Sequence, residues 1–135
     1  EQATTLTWAV SALCLITGFH ALDYKTPESL QKILFSGEVM PLRALKEFRK
    51  HLPDACYVNL YGPTEITCNC THHILEKDRD YASGIPIGIP FPNEDVFLLD
   101  GEDRLISPSV SGGRRWLWAI TAARNRTAPI LSRTH

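Results

Sequence analysis

Residues 32–60 read KILFSGEVMPLRALKEFRKHLPDACYVNL, and this stretch decides the fold class. Its first five residues, 32–36, form an apolar run that Gly37 closes, which is typical of a strand buried on both faces of a sheet. Pro41 then precedes a segment, residues 42–50, in which apolar side chains recur every three residues and charged ones lie between them. That spacing predicts an amphipathic helix that begins after the proline.

The flanking segments extend this alternation. Residues 56–60 predict the next strand, residues 4–10 are β-prone, and residues 11–17 read as a helix capped by Gly18. Strands and helices that alternate with short links predict an α/β fold with a mainly parallel sheet and right-handed crossovers. Further strands are predicted at residues 66–74 and 95–100.

Composition limits the class of protein. The chain has 135 residues, of which 44% are hydrophobic and 21% are charged, so collagen-like, coiled-coil and wholly disordered proteins are excluded. Its net charge of -1 provides no field that would attract nucleic acid or an anionic membrane. The longest apolar-leaning stretch, residues 8–22, contains polar residues and is too short for a membrane span, and no signal peptide precedes it. We therefore expect a soluble, cytoplasmic protein.

Charge is distributed unevenly along the chain. All fifteen acidic residues lie at or before Asp103, whereas residues 112–135 contain five arginines, no lysine and no acid. One interpretation is a basic nucleic-acid-binding tail, but the segment has neither lysines nor a recognisable motif.

The four cysteines are Cys14, Cys56, Cys68 and Cys70, and we expect reduced thiols because no secretory signal precedes them. Cys68, Cys70 and His72 alternate along a predicted strand, but a zinc site needs a second ligand pair that the sequence lacks.

The chemistry is concentrated where the strand over residues 56–60 ends. Residues 59–65 read Asn-Leu-Tyr-Gly-Pro-Thr-Glu, so a buried strand runs into a Gly-Pro turn. The turn presents Tyr61, which can stack on a base, and Thr64, whose hydroxyl and neighbouring amides can hold phosphate oxygens. The Glu65 carboxylate can bind a divalent cation that bridges phosphates. On composition alone, an ordinary β-turn with an exposed glutamate explains the same residues.

The seven residues 59–65 resemble the core motif of adenylate-forming enzymes, specifically the amino-acid adenylation domains of nonribosomal peptide synthetases and the related D-alanine–carrier protein ligases. Residues 32–41 resemble the family's preceding strand and Gly-Glu turn. Residues 85–93, Ile-Pro-Ile-Gly-Ile-Pro-Phe-Pro-Asn, resemble its Pro-Ile-Gly-x-Pro segment, and residues 95–105 resemble the strand and turn that follow. The resemblance covers roughly residues 1–107, and it implies an incomplete part of the family's large N-terminal α/β domain.

The resemblance assigns roles to individual residues. Thr64 and Glu65 would be catalytic, with Thr64 on phosphate and Glu65 on Mg²⁺, while Tyr61 would stack on adenine. ATP or AMP would be bound by residues of the two strand ends, namely Gly37, Glu38, Asn59, Tyr61, Gly62, Pro63 and Thr64. The amino-acid pocket would be lined by Leu34, Ser36, Leu60, Cys68 and Asn69.

The implied reaction joins a carboxylate to ATP, giving an acyl-adenylate and pyrophosphate, and then transfers the acyl group to the phosphopantetheine thiol of a carrier protein. An acyl- or aryl-CoA ligase of the same superfamily and a non-catalytic remnant are the alternatives. Several of the family's motifs are not found in the sequence, so we expect the 135 residues alone to be inactive.

Residues 108–135 do not resemble the family. If the reading frame is shifted so that each codon begins at the third base of the previous one, the codons for residues 116–125 permit the sequence Ala-Leu-Gly-Tyr-Tyr-x-x-Pro-Glu. This sequence is the family's pattern. We therefore expect a basic, loosely attached tail that is translated out of frame.

Overall fold

A computed structural model describes residues 2–64, 68–92, 94–99, 118–123 and 130–133. The chain divides into two units. The first contains residues up to Tyr61 together with His72–Ile89, and the second contains Gly62–Thr71 and the residues from Pro90 onward. Each unit is described below by itself.

Strands and helices alternate along the first half of the chain. The elements in chain order are β1 (Thr5–Ala9), α1 (Val10–Gly18), α2 (Ala21–Tyr24), β2 (Lys32–Ser36), α3 (Leu42–His51), β3 (Cys56–Tyr61), β4 (Thr71–Ile74), β5 (Ile89–Pro90), β6 (Glu94–Leu99), β7 (Trp118–Ala123) and β8 (Ile130–Arg133). Among the described residues, no helix combines the length and the apolar character that a membrane crossing requires.

The strands of the main sheet lie side by side in the order in which they occur in the sequence, β1-β2-β3-β4-β5. β1 and β2 are parallel, with Trp8 in register with Phe35, and β2 and β3 are parallel, with Phe35 in register with Asn59. α1 and α2 connect the first of these pairs, and α3 connects the second. The predicted α/β fold with strand–helix–strand units and parallel neighbours is confirmed.

α3 forms where its sequence predicts it. Pro41 occupies the N-cap position with extended φ and ψ, and its carbonyl accepts a hydrogen bond from the Leu45 amide at 3.1 Å. The helix buries the stripe that contains Ala44, Leu45 and Phe48, as an apolar face of period 3.6 should. Basic residues in its last turn lie where they interact favourably with the helix dipole.

The core lies on one face of the sheet. Ile33 and Phe35 of β2 are fully buried and Tyr57 of β3 nearly so, and they belong to the same buried cluster as Leu13 of α1 and Phe48 of α3. On the other face of β2, Leu34 and Ser36 are half-buried and Lys32 is exposed. The prediction that β2 is buried on both faces is therefore wrong for one of them.

Two local predictions need correction, and one helix was not predicted. The strand expected over residues 66–74 includes only Thr71–Ile74 of the described residues, because Cys68 bends the chain with a φ of 97°. Gly18 does not cap α1; it is the last helical residue, Phe19 is the C-cap, and His20 adopts the left-handed conformation with a φ of 52°. α2 is too short to leave a periodic pattern and was not predicted.

The second unit contains a three-stranded sheet in the order β6-β7-β8. Both pairings are antiparallel, with Leu99 in register with Trp118 and Thr121 in register with Ile130. The strand predicted at residues 95–100 is present as β6, apart from residue 100, which lies outside the described residues. The ten residues of β7 and β8 belong to residues 108–135, and the expectation that this segment is a loosely attached tail stays a prediction.

Candidate functional site

The ends of β2 and β3 lie side by side in the first unit. The two strands are parallel and in register up to Phe35 and Asn59, so their carboxyl ends, at Ser36 and Tyr61, lie at the same edge of the sheet. In open α/β sheets this edge is where ligands bind. The structure thus brings together the predicted site residues of β2 and β3.

The two faces of the sheet separate these residues into two groups. Side chains alternate along a strand, so Asn59 and Tyr61 lie on the face of β3 that Tyr57 shares with the core. Leu60 lies on the opposite face of β3, and Leu34 and Ser36 share a face of β2 away from Phe35. Within β2 and β3, the residues predicted to contact adenine and those predicted to line the acyl pocket therefore lie on different faces. Most of these side chains are half-buried, but Leu60 is buried, with 7% of it exposed, on the face opposite the main hydrophobic cluster.

Asn59 is held by a contact that the sequence did not predict. Its side-chain amide Nδ2 donates a hydrogen bond to the backbone carbonyl of Pro86 at 2.9 Å. The amide is fixed in one orientation by this bond, and its oxygen Oδ1 retains the capacity to accept a hydrogen bond from a ligand. Pro86 belongs to residues 85–93, whose motif was recognised from the sequence, although its position beside Asn59 was not.

The chain turns sharply after β2. Gly37 has a φ of 93°, a left-handed conformation that only glycine adopts without strain, and it is followed by Glu38. Both residues are exposed. The backbone of this turn is therefore accessible at the edge where β2 and β3 end.

In the second unit, the Gly-Pro turn is packed against its own continuation. A Cβ added to Gly62 would clash with the backbone of Cys68 and Asn69, so no larger residue fits without displacement of the chain. Pro63 is half-buried and Thr64 is exposed, which leaves the threonine hydroxyl open to solvent. This close approach fixes the turn from Gly62 to Thr64, and a single sequence carries no signal for it.

Cys68 and Asn69 follow this turn. The Cys68 thiol is exposed, and the Asn69 amide Nδ2 donates to its sulfur at 3.4 Å. Cys70 is fully buried. Because Cys68 lies in a left-handed bend, Cys68, Cys70 and His72 do not follow one another along a strand, and the alternation on which a zinc interpretation depended is absent from these residues.

The predicted site residues are divided between the two units, and their roles stay predictions. Leu34, Ser36, Gly37, Glu38, Asn59, Leu60 and Tyr61 belong to the first unit, and Gly62, Pro63, Thr64, Cys68 and Asn69 belong to the second. Glu65, to which both a catalytic role and Mg²⁺ binding were assigned, lies outside the described residues.

Comparison with known proteins identifies the family. The model of the family described as AMP-binding enzyme matches residues 1–116. The chain belongs to this family of AMP-binding enzymes. The AMP-binding family uses ATP or AMP, and the relatives with similar sequences are amino-acid adenylation proteins of nonribosomal peptide synthesis.

Two curated relatives and one solved structure illustrate the match. The L-proline–[L-prolyl-carrier protein] ligase of Streptomyces coelicolor is 35% identical over 97 residues, which cover 71% of this chain and 18% of the ligase. Surfactin synthase subunit 1 of Bacillus subtilis is 27% identical over 107 residues, which cover 76% of this chain and 3% of the synthase. The Vibrio cholerae adenylation domain AlmE, solved in complex with glycyl-adenosine-5'-phosphate, has a TM-score of 0.73 at 23% identity; the match covers 88% of this chain and 23% of that domain.

The AMP-binding chain thus spans less than a quarter of each of these proteins. Because the sequence identity to AlmE is low, this similarity shows a shared fold and nothing more. The predicted family and its domain type, an adenylation domain of the nonribosomal peptide synthetase class, are confirmed.

Proposed function

We propose that this chain supplies the nucleotide-binding turn and part of the acyl-substrate pocket of an amino-acid adenylation reaction. The observation that carries the proposal is the adjacency of the β2 and β3 ends, where Asn59 and Tyr61 share one face of the sheet and Leu34 and Ser36 the other. Such an edge can hold a nucleotide and an acyl group as neighbours on its two sides. Membership of the AMP-binding family supports the assignment of the nucleotide.

The described residues fit a nucleotide. Asn59, fixed by Pro86, can accept a hydrogen bond from the exocyclic amine of adenine through Oδ1, and the Tyr61 ring can stack on the base. The exposed Thr64 hydroxyl follows a turn whose backbone amides suit phosphate oxygens. Gly37 and Glu38 offer accessible backbone groups to the adenine edge. We propose Glu65 as the Mg²⁺ ligand, with Mg²⁺ neutralising phosphate charge when it is bound.

In the proposed reaction, an oxygen of the amino-acid carboxylate attacks the α-phosphorus of ATP. A carboxyl oxygen–phosphorus bond forms, the anhydride bond between the α- and β-phosphates breaks, and pyrophosphate leaves. The thiol of a carrier protein's phosphopantetheine then attacks the acyl carbon, and AMP leaves. This chain contributes by positioning the nucleotide and the acyl group, which lowers the barrier because the reacting atoms are held together.

The pocket is proposed to be small and mostly apolar. Leu34 and Ser36 are half-buried at the open face of β2, and Cys68 and Asn69 are the further lining residues that the family resemblance implies. Leu60 is buried and would contribute as a wall behind the pocket. We also propose a cytoplasmic location, where ATP and carrier proteins are present.

A chimaera tests the function. Residues 1–107 of this chain would replace the matching segment of the Streptomyces coelicolor ligase, and pyrophosphate exchange into ATP would be measured with each amino acid. We expect exchange that depends on an amino acid and whose preference shifts from that of the parent ligase when Ser36 is changed to Phe. The matched variant Ser83→Phe, at an exposed serine outside the proposed pocket, should leave the preference unchanged.

Two outcomes would contradict the proposal. Exchange that depends on plain carboxylic acids and not on amino acids would favour an acyl- or aryl-CoA ligase. A folded chimaera without exchange under any substrate would favour a non-catalytic remnant.

A further inference from the structure

Three potential metal ligands converge between α2 and α3, away from the strand ends discussed above. Asp23 belongs to α2, and Glu47 and His51 lie one turn apart on α3. His51 Nε2 is 3.1 Å from Asp23 Oδ1 and 3.1 Å from Glu47 Oε1. The three ligand atoms all lie within 4.8 Å of one another.

The two separations from His51 Nε2 match a tetrahedral coordination sphere. Bonds of about 2.0–2.2 Å to nitrogen and oxygen place ligand atoms roughly 3.3 Å apart in a tetrahedron. Both imidazole–carboxylate separations are close to that value. The Asp23 and Glu47 oxygens lie within 4.8 Å of each other, so an ion bound to all three atoms would draw these two oxygens together by at most about 1.5 Å.

The imidazole is oriented for this role. The Thr26 hydroxyl donates its only proton to the Leu22 carbonyl at 3.0 Å, and its oxygen lies 3.3 Å from His51 Nδ1. Since the carbonyl can only accept, the hydroxyl oxygen accepts the Nδ1–H proton of His51. This hydrogen bond favours the tautomer in which Nε2 carries the lone pair, and metal-binding histidines are commonly held in this way by a partner on the other nitrogen.

The site is sheltered but open to a small ion. The exposed fraction of the side chain is 15% for His51, 32% for Glu47 and 50% for Asp23. Glu47 also lines a cavity of about 400 Å³ that His20 borders, so water has access to complete the coordination sphere. Neighbouring charged groups are His20, 3.5 Å from Asp23, and Lys50, 3.4 Å from Glu47.

We propose that Asp23, Glu47 and His51 form a binding site for one divalent transition-metal ion, with Zn²⁺ as the best fit. Two carboxylates balance the charge of the ion, and the imidazole favours zinc over Mg²⁺ or Ca²⁺, which prefer oxygen ligands alone. The bound ion links the four-residue helix α2 to α3. A site with three protein ligands retains a position for water.

The experiment measures metal binding to the complete 135-residue chain after removal of metal by a chelator. Zn²⁺ is titrated calorimetrically, and Co²⁺ is titrated in parallel because its visible absorption reports the geometry and the type of ligand. We expect one Zn²⁺ per chain, a tetrahedral Co²⁺ spectrum without thiolate charge-transfer bands, and a higher melting temperature with Zn²⁺.

The variants separate a metal site from a set of ion pairs. His51→Ala and the nearly isosteric Glu47→Gln should each weaken Zn²⁺ binding by about tenfold or more, and Thr26→Val should weaken it less, because Thr26 only orients the imidazole. Asp54→Asn is the matched control, since Asp54 is an exposed carboxylate paired with Lys77. Far-UV circular dichroism checks that each variant folds.

Two results would overturn the proposal. If the wild-type chain binds no Zn²⁺, the three side chains form ion pairs only. If Glu47→Gln binds Zn²⁺ as tightly as Asp54→Asn does, or if Co²⁺ shows thiolate bands, the ion is bound elsewhere.

Discussion

Asn59 donates a hydrogen bond through its side-chain amide to the backbone carbonyl of Pro86, 27 residues further along the chain. The bond connects β3 with the proline-rich segment of residues 85–93, two stretches that the family resemblance identified separately. It also explains why an asparagine suits this position. One side of the amide fixes the neighbouring segment, while the other side can face a ligand.

The isolated chain should not catalyse adenylation. We expect the purified 135-residue protein to show no amino-acid-dependent pyrophosphate exchange, because the family's phosphate-binding loop, ribose-binding aspartate and catalytic lysine are not found in its sequence. Exchange is measured with each of the twenty amino acids against a reaction without enzyme. Activity above that background with any of them would show that residues 1–135 contain a complete active site.

Glu65 should matter for catalysis far more than for folding. In the chimaera with the Streptomyces coelicolor ligase, Glu65→Ala is expected to lower the rate of exchange by a factor that corresponds to about 2–4 kcal/mol of transition-state stabilisation. The melting temperature should change little. Glu28→Ala, which removes an exposed carboxylate outside the proposed site, is the control. A nearly normal rate of exchange in Glu65→Ala would contradict the proposed role of Glu65 as the Mg²⁺ ligand.

Gly62→Ala should destabilise the chain. The added methyl group would clash with the backbone of Cys68 and Asn69, and such overpacking costs about 1–3 kcal/mol in the free energy of unfolding. Gly18→Ala is the matched control, because its added methyl group would meet no atom within 4 Å beyond the backbone of its own helix, and a helical alanine is neutral or stabilising. Unfolding in urea measures both. Equal stability of the two variants would argue against the close approach at Gly62.

Alkaline pH should weaken the fold through Tyr57. Its hydroxyl donates to the Leu52 carbonyl at 3.0 Å, and burial raises the pKa of Tyr57 far above its ordinary value of 10.0, with a smaller opposing effect from Arg49. The folded pKa lies above the unfolded one, so this stabilisation is complete below about pH 10 and is lost as pH rises beyond it.

Urea unfolding between about pH 8 and about pH 11 tests this effect of Tyr57. As the pH rises, the free energy of unfolding should fall less in Tyr57→Phe than in the wild-type chain. In Tyr24→Phe it should fall as much as in the wild type, because Tyr24 is 90% exposed. Tyr57→Phe should also lower stability at neutral pH by about 1 kcal/mol, since the hydrogen bond is removed. Identical pH profiles for the two variants would contradict the argument.

The nucleotide sequence tests the out-of-frame hypothesis for residues 108–135. We expect the shifted frame across codons 116–125 to encode Ala-Leu-Gly-Tyr-Tyr-x-x-Pro-Glu, with the family's pattern continuing beyond it. A stop codon or an unrelated sequence in that frame would leave β7 and β8 as native strands of this protein.

Elements with a strong local pattern could be predicted from the sequence. β2 matches its predicted residues, β3 extends one residue further, and α3 begins after Pro41, because apolar spacing and proline act within a few residues of the chain. α2 has only four residues and no repeat to detect. The bend at Cys68 interrupts a stretch rich in β-formers, and the backbone packing of Gly62 against it is a tertiary contact that no local pattern encodes.

The candidate site could be predicted only in part, for a similar reason. The sequence and its family resemblance indicated which residues lie at the ends of β2 and β3, since strand ends follow from strand boundaries. The family resemblance assigned Leu60 to the pocket, and this assignment stays a prediction. Its burial could not be predicted, because alternation along a strand gives the face of a residue but not what covers that face. The convergence of Asp23 with His51 was not predicted, because their helices are far apart in sequence.

The sheet order β1-β2-β3-β4-β5 has a consequence for how this chain folds. Each strand pairs with the strand that was synthesised just before it, so no strand waits for a partner far away in sequence. Thr5 pairs with Lys32 and Lys32 pairs with Cys56, and closing each of these loops costs less entropy than pairing strands that are farther apart in sequence. The parallel strands β1, β2 and β3 can therefore pair in the order in which they leave the ribosome.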